Sequence, residues 1–233
     1  EGLWTPNNKA FDIGITTMQA ISNLRNRIEP KFAGLNGEKD NGNGSLMRIA
    51  PLIPYIYGLV EEQQIQIISE VSSLTHRHPR SILACIFLCK FAIQYLATKE
   101  IPTAFAYTQK EIKYLLTQEK FKNECSHFDR LVNLTYEQFR NIAENDIKST
   151  GYVIDTLEAS FWSIFNNNDF KDSVLCAVNL GYDADTVGAI TGALAGIIYG
   201  HDSIPEEWLN VLARKEDIIE LANKLDSAIK SNP

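Results

Sequence analysis

Apolar residues in this chain recur at helical spacing almost throughout, and the strict alternation that marks a half-buried strand is nearly absent. Over 62–75, Ile65, Ile68, Val71 and Leu74 fall at three-residue steps, close to one helix face. Over 81–97, Ile82, Ala84, Cys85, Leu88, Cys89, Ala92, Ile93 and Leu96 make a broad apolar surface. Val153, Ile154, Leu157, Phe161, Ile164 and Phe165 do the same over 152–165. Segments 12–28, 103–119, 135–147, 170–180, 186–199 and 214–229 also read as helix, and Pro79 and Pro205 stand where helices begin. The expected fold is all-α. No Gly/Ser/Pro-rich linker or internal repeat divides the 233 residues, so a single domain over 1–233 is expected.

The segment 186–199 is unusual for a helix. Gly188, Gly192, Gly196 and Gly200 recur every four residues and gather near one face. Each interior glycine costs about 1 kcal/mol relative to alanine, so close backbone approach to neighbouring helices is the expected compensation. A membrane span is excluded by length: a span needs about 20 apolar residues, and Asp183 and Asp185 lie just before the segment. A buried central helix is expected instead.

The net charge of −7, with no run of Lys and Arg, argues against a nucleic-acid partner. A small anionic ligand is compatible if a metal offsets its charge. The four cysteines form neither a disulfide framework nor a CxxC zinc knuckle. They read as buried free thiols of a protein in a reducing, cytoplasmic compartment. The chain begins with Glu1 instead of Met, which reads as a processed or truncated start.

The chemistry concentrates in the turn before the glycine-rich segment. Asp183 and Asp185 are separated by one residue and followed by Thr186, with Gly181 permitting a tight turn ahead of them. Two carboxylates and a hydroxyl are hard oxygen donors suited to Mg²⁺, Mn²⁺ or Ca²⁺. Spacing alone serves plain helix capping equally well, with Asp185 at the N-terminus and Asp183 complementing the dipole. An EF-hand is excluded: with Asp183 as loop position 1, positions 5 and 12 would be Val187 and Leu194.

Residues 181–200, Gly-Tyr-Asp-Ala-Asp-Thr-Val-Gly-Ala-Ile-Thr-Gly-Ala-Leu-Ala-Gly-Ile-Ile-Tyr-Gly, resemble the C-terminal signature of the ADP-ribosylglycohydrolase family, which includes the dinitrogenase reductase-activating enzymes. Other pieces agree in order. Asp12-Ile13-Gly14 with Thr16 and Thr17 resembles the family's DIG-T helix, and Asn41 to Arg48 its GNGSLMR loop. Thr75-His76 with Pro79 resembles its TH-x-x-P turn, Gly151 to Leu157 its GYV-x-DTL helix, and Ile204-Pro205 with Trp208 its closing IP-x-x-W.

The resemblance implies a compact helical bundle, organised around the Gly-rich helix, that holds two Mg²⁺ or Mn²⁺ ions. It implies cleavage of the glycosidic bond of ADP-ribosylated protein or a related ADP-ribose derivative. Asp183, Asp185 and Thr186 would be metal ligands. Asn43, Gly44 and Ser45 of the glycine loop would contact ADP-ribose, as would His76 and Tyr152, and Asp40 is a candidate catalytic carboxylate. Residues 98–148, which carry none of the family's motifs, would belong to the cleft rim. The chemistry is coherent, because metal ions can hold ribose hydroxyls and lower the pKa of a water. A carboxylate can then act as base or stabilise an oxocarbenium-like state.

The resemblance has one gap. The family's remaining metal ligands include a Thr-Asp-Asp cluster near the chain start, and that triplet occurs nowhere here. Two accounts stand open. Either these residues belong to a longer chain, or the protein is a shortened, metal-deficient homologue that binds a nucleotide-like ligand or only a partner protein; a structural helical module with no ligand is the further alternative. Both imply weak metal binding by the residues present. Both also imply an exposed apolar surface that could drive homo-oligomerisation.

Overall fold

The computed structural model describes Gly2, Thr5, residues 8–10 and residues 12–231; the chain start at Glu1 lies outside the described residues. Among the described residues there is no strand, and eight helices of ten residues or more make the frame. They are α1 (Ile15–Arg25), α2 (Glu61–Ser73), α3 (Pro79–Thr98), α4 (Ile101–Leu116), α5 (Val153–Phe165), α6 (Phe170–Asn179), α7 (Ala184–Tyr199) and α8 (Lys215–Ser231). The expected all-α fold is therefore what forms. The 135–147 segment departs from expectation: its helix spans only Tyr136–Arg140, and a separate 3₁₀ turn covers Glu144–Asp146. A Thr135–Gln138 capping box starts that short helix.

The centre of the molecule is α3 against α4 and α5. Phe87 and Phe91 of α3, Phe105 of α4, and Phe161 and Phe165 of α5 meet edge-on or tilted, with ring centroids 4.7–6.3 Å apart. Helix α3 is long and apolar enough to cross a membrane, yet it is the core helix, with 72% of its apolar window buried. Its Lys90 is buried too, bonded to Gln64 of α2 at 2.9 Å and paired with Glu111 of α4 at 3.3 Å. That polar crosslink fixes how three helices meet.

The glycine-rich α7 packs along α5 and α6. It is half-buried, not enclosed: Val187, Ile190, Leu194 and Ala195 face the core while Ala189 is exposed. Close approach explains only part of its glycine stripe. A Cβ on Gly188 would stand 2.8 Å from Val178 Cγ1 of α6, but at Gly196 there is open space. Much of the 98–148 region, expected at a cleft rim, is core as well, since Phe105, Ile112, Leu115 and Phe139 are buried. Helix α1 leaves Ile15, Met18, Ile21 and Leu24 exposed.

Candidate active site

Four loops converge at one end of the bundle, stitched by backbone bonds. The stretch after Gly34 runs beside residues 73–77: Gly34 N–H donates to Ser73 O at 3.0 Å, Leu35 N–H to Thr75 O at 3.2 Å, and Arg77 N–H to Leu35 O at 2.8 Å. Further along, Asn43 N–H donates to Gly151 O and Val153 N–H to Asn41 O, both at 3.0 Å. Asp183 N–H donates to Ser149 O at 3.0 Å. The glycine loop, the histidine turn, the start of α5 and the start of α7 thus form one rigid unit. Between them lies a cleft of about 500 Å³.

Asn43, Gly44, His76, Asp183, Asp185 and Thr186 all border that cleft. So do Asp12, Thr16, Thr17, Met47 and Gly151, to which the sequence reading gave no role. The DIG-T match was the signal that could have found Asp12, Thr16 and Thr17. They reach the wall because α1 begins beside the glycine loop.

Asp183 occupies the N-cap position of α7, but its side chain makes no capping bond. Its Oδ2 instead accepts from Asn43 Nδ2 at 2.6 Å, and Asn43 Nδ2 also donates to Thr156 Oγ1 at 2.8 Å. The turn geometry that aims it is unusual: Gly181 and Tyr182 both have positive φ, +79° and +52°. Only glycine takes that conformation without strain, and a tyrosine there costs energy that the surrounding bonds must offset. Asp185 is held below the usual carboxylate range, first by hydrogen bonding with Asp183 and then by the Thr186 N–H, against a smaller effect of burial. Both acids border the cleft, while the hydroxyl of Thr186 lies 3.7 Å from Met47 Sδ.

His76 is almost wholly buried, and its pKa is lowered to about 4 by burial and then by the Arg48 charge, with Asp40 opposing. Its ring explains one glycine: a Cβ on Gly44 would stand 2.9 Å from His76 Cε1. His78 caps α3, its Nδ1 accepting from Arg80 N–H at 3.2 Å.

Three of the sequence candidates lie elsewhere. Ser45 is fully buried, and its Oγ accepts from Cys85 Sγ at 3.5 Å, because the first turn after Asn43 points that position into the core. Asp40 does not border the cleft; its Oδ2 accepts from Gly37 N–H at 2.8 Å and closes the turn before the glycine loop. Tyr152 faces a neighbouring hollow of about 390 Å³, where its hydroxyl bonds His127 Nδ1 at 3.1 Å and its ring lies 5.8 Å from the Arg80 guanidinium. Tyr152 stays at the N-cap of α5 while its side chain turns away from the acids.

The sequence model of the ADP-ribosylglycohydrolase family matches residues 2–233. The chain belongs to the ADP-ribosylglycohydrolase family. Within it, the chain is 33% identical over 221 residues to the ADP-ribosylarginine hydrolase Tri1 of Serratia proteamaculans, covering 94% of this chain and 55% of that protein. It is 26% identical over 227 residues to the ADP-ribosyl-[dinitrogen reductase] glycohydrolase of Rhodospirillum rubrum, covering 97% of this chain and 68% of that one. A solved structure titled ADP-ribosylglycohydrolase-related protein complex superimposes with a TM-score of 0.73 at 28% identity, over 91% of this chain and 68% of that chain. The chain thus spans about half the length of the Tri1 relatives it matches.

The sequence resemblance implies hard cations, and the donors at the start of α7 have that character: two carboxylates and a hydroxyl, all oxygen. Among the described residues no third His, Cys, Asp or Glu joins them as a metal-binding group. The set fits one hard divalent cation with water completing its shell, and falls short of two.

Proposed function

We propose that the cleft takes an ADP-ribose-containing substrate and that the protein hydrolyses the glycosidic bond joining ADP-ribose to a protein side chain. The observation that carries this reading is the Asn43–Asp183 bond, which places the glycine loop and the acidic pair on one wall. Backbone N–H groups in a glycine-rich turn can approach a diphosphate closely, and carboxylates beside them face the ribose. Asp183, Asp185 and Thr186 would hold Mg²⁺ or Mn²⁺, which when bound orients ribose hydroxyls and lowers the pKa of a water.

The chain's own residues supply the rest. Asn43 holds Asp183 in place, and His76 walls the glycine loop. Asp12, in place of Asp40, is the further carboxylate on the cleft and the candidate to take a proton from water or to face the oxocarbenium-like ring. The reading is tested by release of ADP-ribose from an arginine-ADP-ribosylated protein with and without Mn²⁺, and by the loss of that release in Asp185→Ala.

A second reading, a non-catalytic ADP-ribose binder, draws on the missing third acidic ligand. It predicts thermal stabilisation by ADP-ribose that chelators do not alter, without turnover.

A further inference from the structure

Thr75 stands between a buried arginine and the cleft histidine. Arg48 lies with a guanidinium nitrogen 2.8 Å from Thr75 Oγ1, and Thr75 Oγ1 lies 2.8 Å from His76 Nδ1. The Arg48 guanidinium is anchored away from the cleft, since the same nitrogen donates to Val71 O at 2.9 Å near the end of α2. A guanidinium has donors only, and a hydroxyl has one proton to give. Thr75 Oγ1 therefore accepts from Arg48, and its proton points to His76 Nδ1. The reverse direction would leave Oγ1 accepting from both sides, with its own proton outside these two bonds.

We propose that Arg48 and Thr75 act as positioning residues that fix His76 as the Nε2–H tautomer, so that it offers the cleft a neutral hydrogen-bond donor and not a base. The Nε2 edge faces the glycine loop: a Cβ on Gly42 would stand 3.5 Å from Nε2 and one on Gly44 3.6 Å from it. An oxygen of a diphosphate or a ribose hydroxyl seated on that loop accepts from Nε2–H, whereas an Nε2 lone pair would repel it. Burial keeps the ring neutral well below neutral pH, and the Arg48 charge acts in the same direction. The Thr-His pair of the histidine turn and the Arg that ends the glycine loop thus serve one purpose. The ligand side of this inference rests on the reading of the cleft as an ADP-ribose site; the tautomer does not.

The test is a side-chain ¹⁵N spectrum of the ligand-free protein at pH 7, with the His76 signals identified by their loss in His76→Gln. The expected pattern is a protonated Nε2 and an unprotonated, hydrogen-bonded Nδ1. Thr75→Ser should preserve it. Thr75→Val should move the Nδ1 signal to that of an acceptor without a donor and weaken ADP-ribose binding roughly fivefold to tenfold. A protonated Nδ1 in the wild-type spectrum would overturn the relay. Equal ADP-ribose affinity in Thr75→Val and wild type would overturn the donor role. If wild type shows the expected tautomer but does not bind ADP-ribose, the ligand reading fails and the Arg48–Thr75–His76 relay stands.

Discussion

Asn43 Nδ2 donates to Asp183 Oδ2 at 2.6 Å across 140 residues of sequence. This bond locks the glycine loop to the start of α7 and decides where the first of the paired acids points. The same amide group reaches Thr156 of α5 at 2.8 Å, so one side chain ties three elements together.

Removing that tie should be costly. Asn43→Ala leaves Asp183 without its donor, and a hydrogen bond to a charged group contributes about 1.5–3 kcal/mol. Urea denaturation should show a loss of that size. Asn43→Asp should cost more, because it sets a third carboxylate against the pair; added Mn²⁺ should restore part of the loss. An Asn43→Asp protein indifferent to Mn²⁺ would count against cation binding at this turn.

Metal affinity should be modest and should depend on the pair. Calorimetric titration with Mn²⁺ is expected to show one weak site. Asp185→Asn should weaken it by at least about tenfold, the scale seen when metal-site partners are removed. Two tight sites in the present chain would contradict the donor inventory.

Glycine substitutions should separate close approach from mere composition. Gly44→Ala drives a Cβ to 2.9 Å from His76 Cε1, and overpacking of this kind costs about 1–3 kcal/mol. Gly196→Ala meets open space on α7 and should stabilise by up to about 1 kcal/mol through helix propensity. Thermal unfolding of the two variants should move in opposite directions.

Acid lability should carry a His76 component. The folded-state pKa near 4 lies below the unfolded value of 6.5, so between these the unfolded chain binds the extra proton. Stability from this group is fully present above pH 6.5 and is lost as pH falls toward 4. The shift corresponds to roughly 3 kcal/mol at the acid limit. Arg48 and Asp40 are the charges that bear on it, the first lowering and the second raising the pKa. His76→Gln should flatten the stability profile across this window.

The buried crosslink in the core should behave as a paired unit. Lys90→Ala strands Gln64 and Glu111 beside an apolar helix and should destabilise by about 3–5 kcal/mol. Replacing Lys90 and Glu111 together with Met and Leu should recover most of that loss in chemical denaturation.

The sequence by itself determined the helical architecture, because apolar spacing along α2, α3 and α5 reports which face each helix must bury, and that is a local property. It also determined the family resemblance and six of the residues that border the cleft: Asn43, Gly44, His76, Asp183, Asp185 and Thr186 were all legible from short motifs. Only the tertiary structure decided where neighbouring side chains point. Ser45 shares the glycine loop with Asn43 but turns into the core, Asp40 closes a turn, and Tyr152 looks into a different hollow. Consecutive residues on a turn or first helical turn diverge by large angles, so motif membership does not fix direction. The acidic turn was poised between helix cap and ligand cluster on spacing alone. The long-range bond from Asn43, together with the missing side-chain cap at Asp183, turned it toward the cleft, because packing between distant segments sets which partner a carboxylate finds.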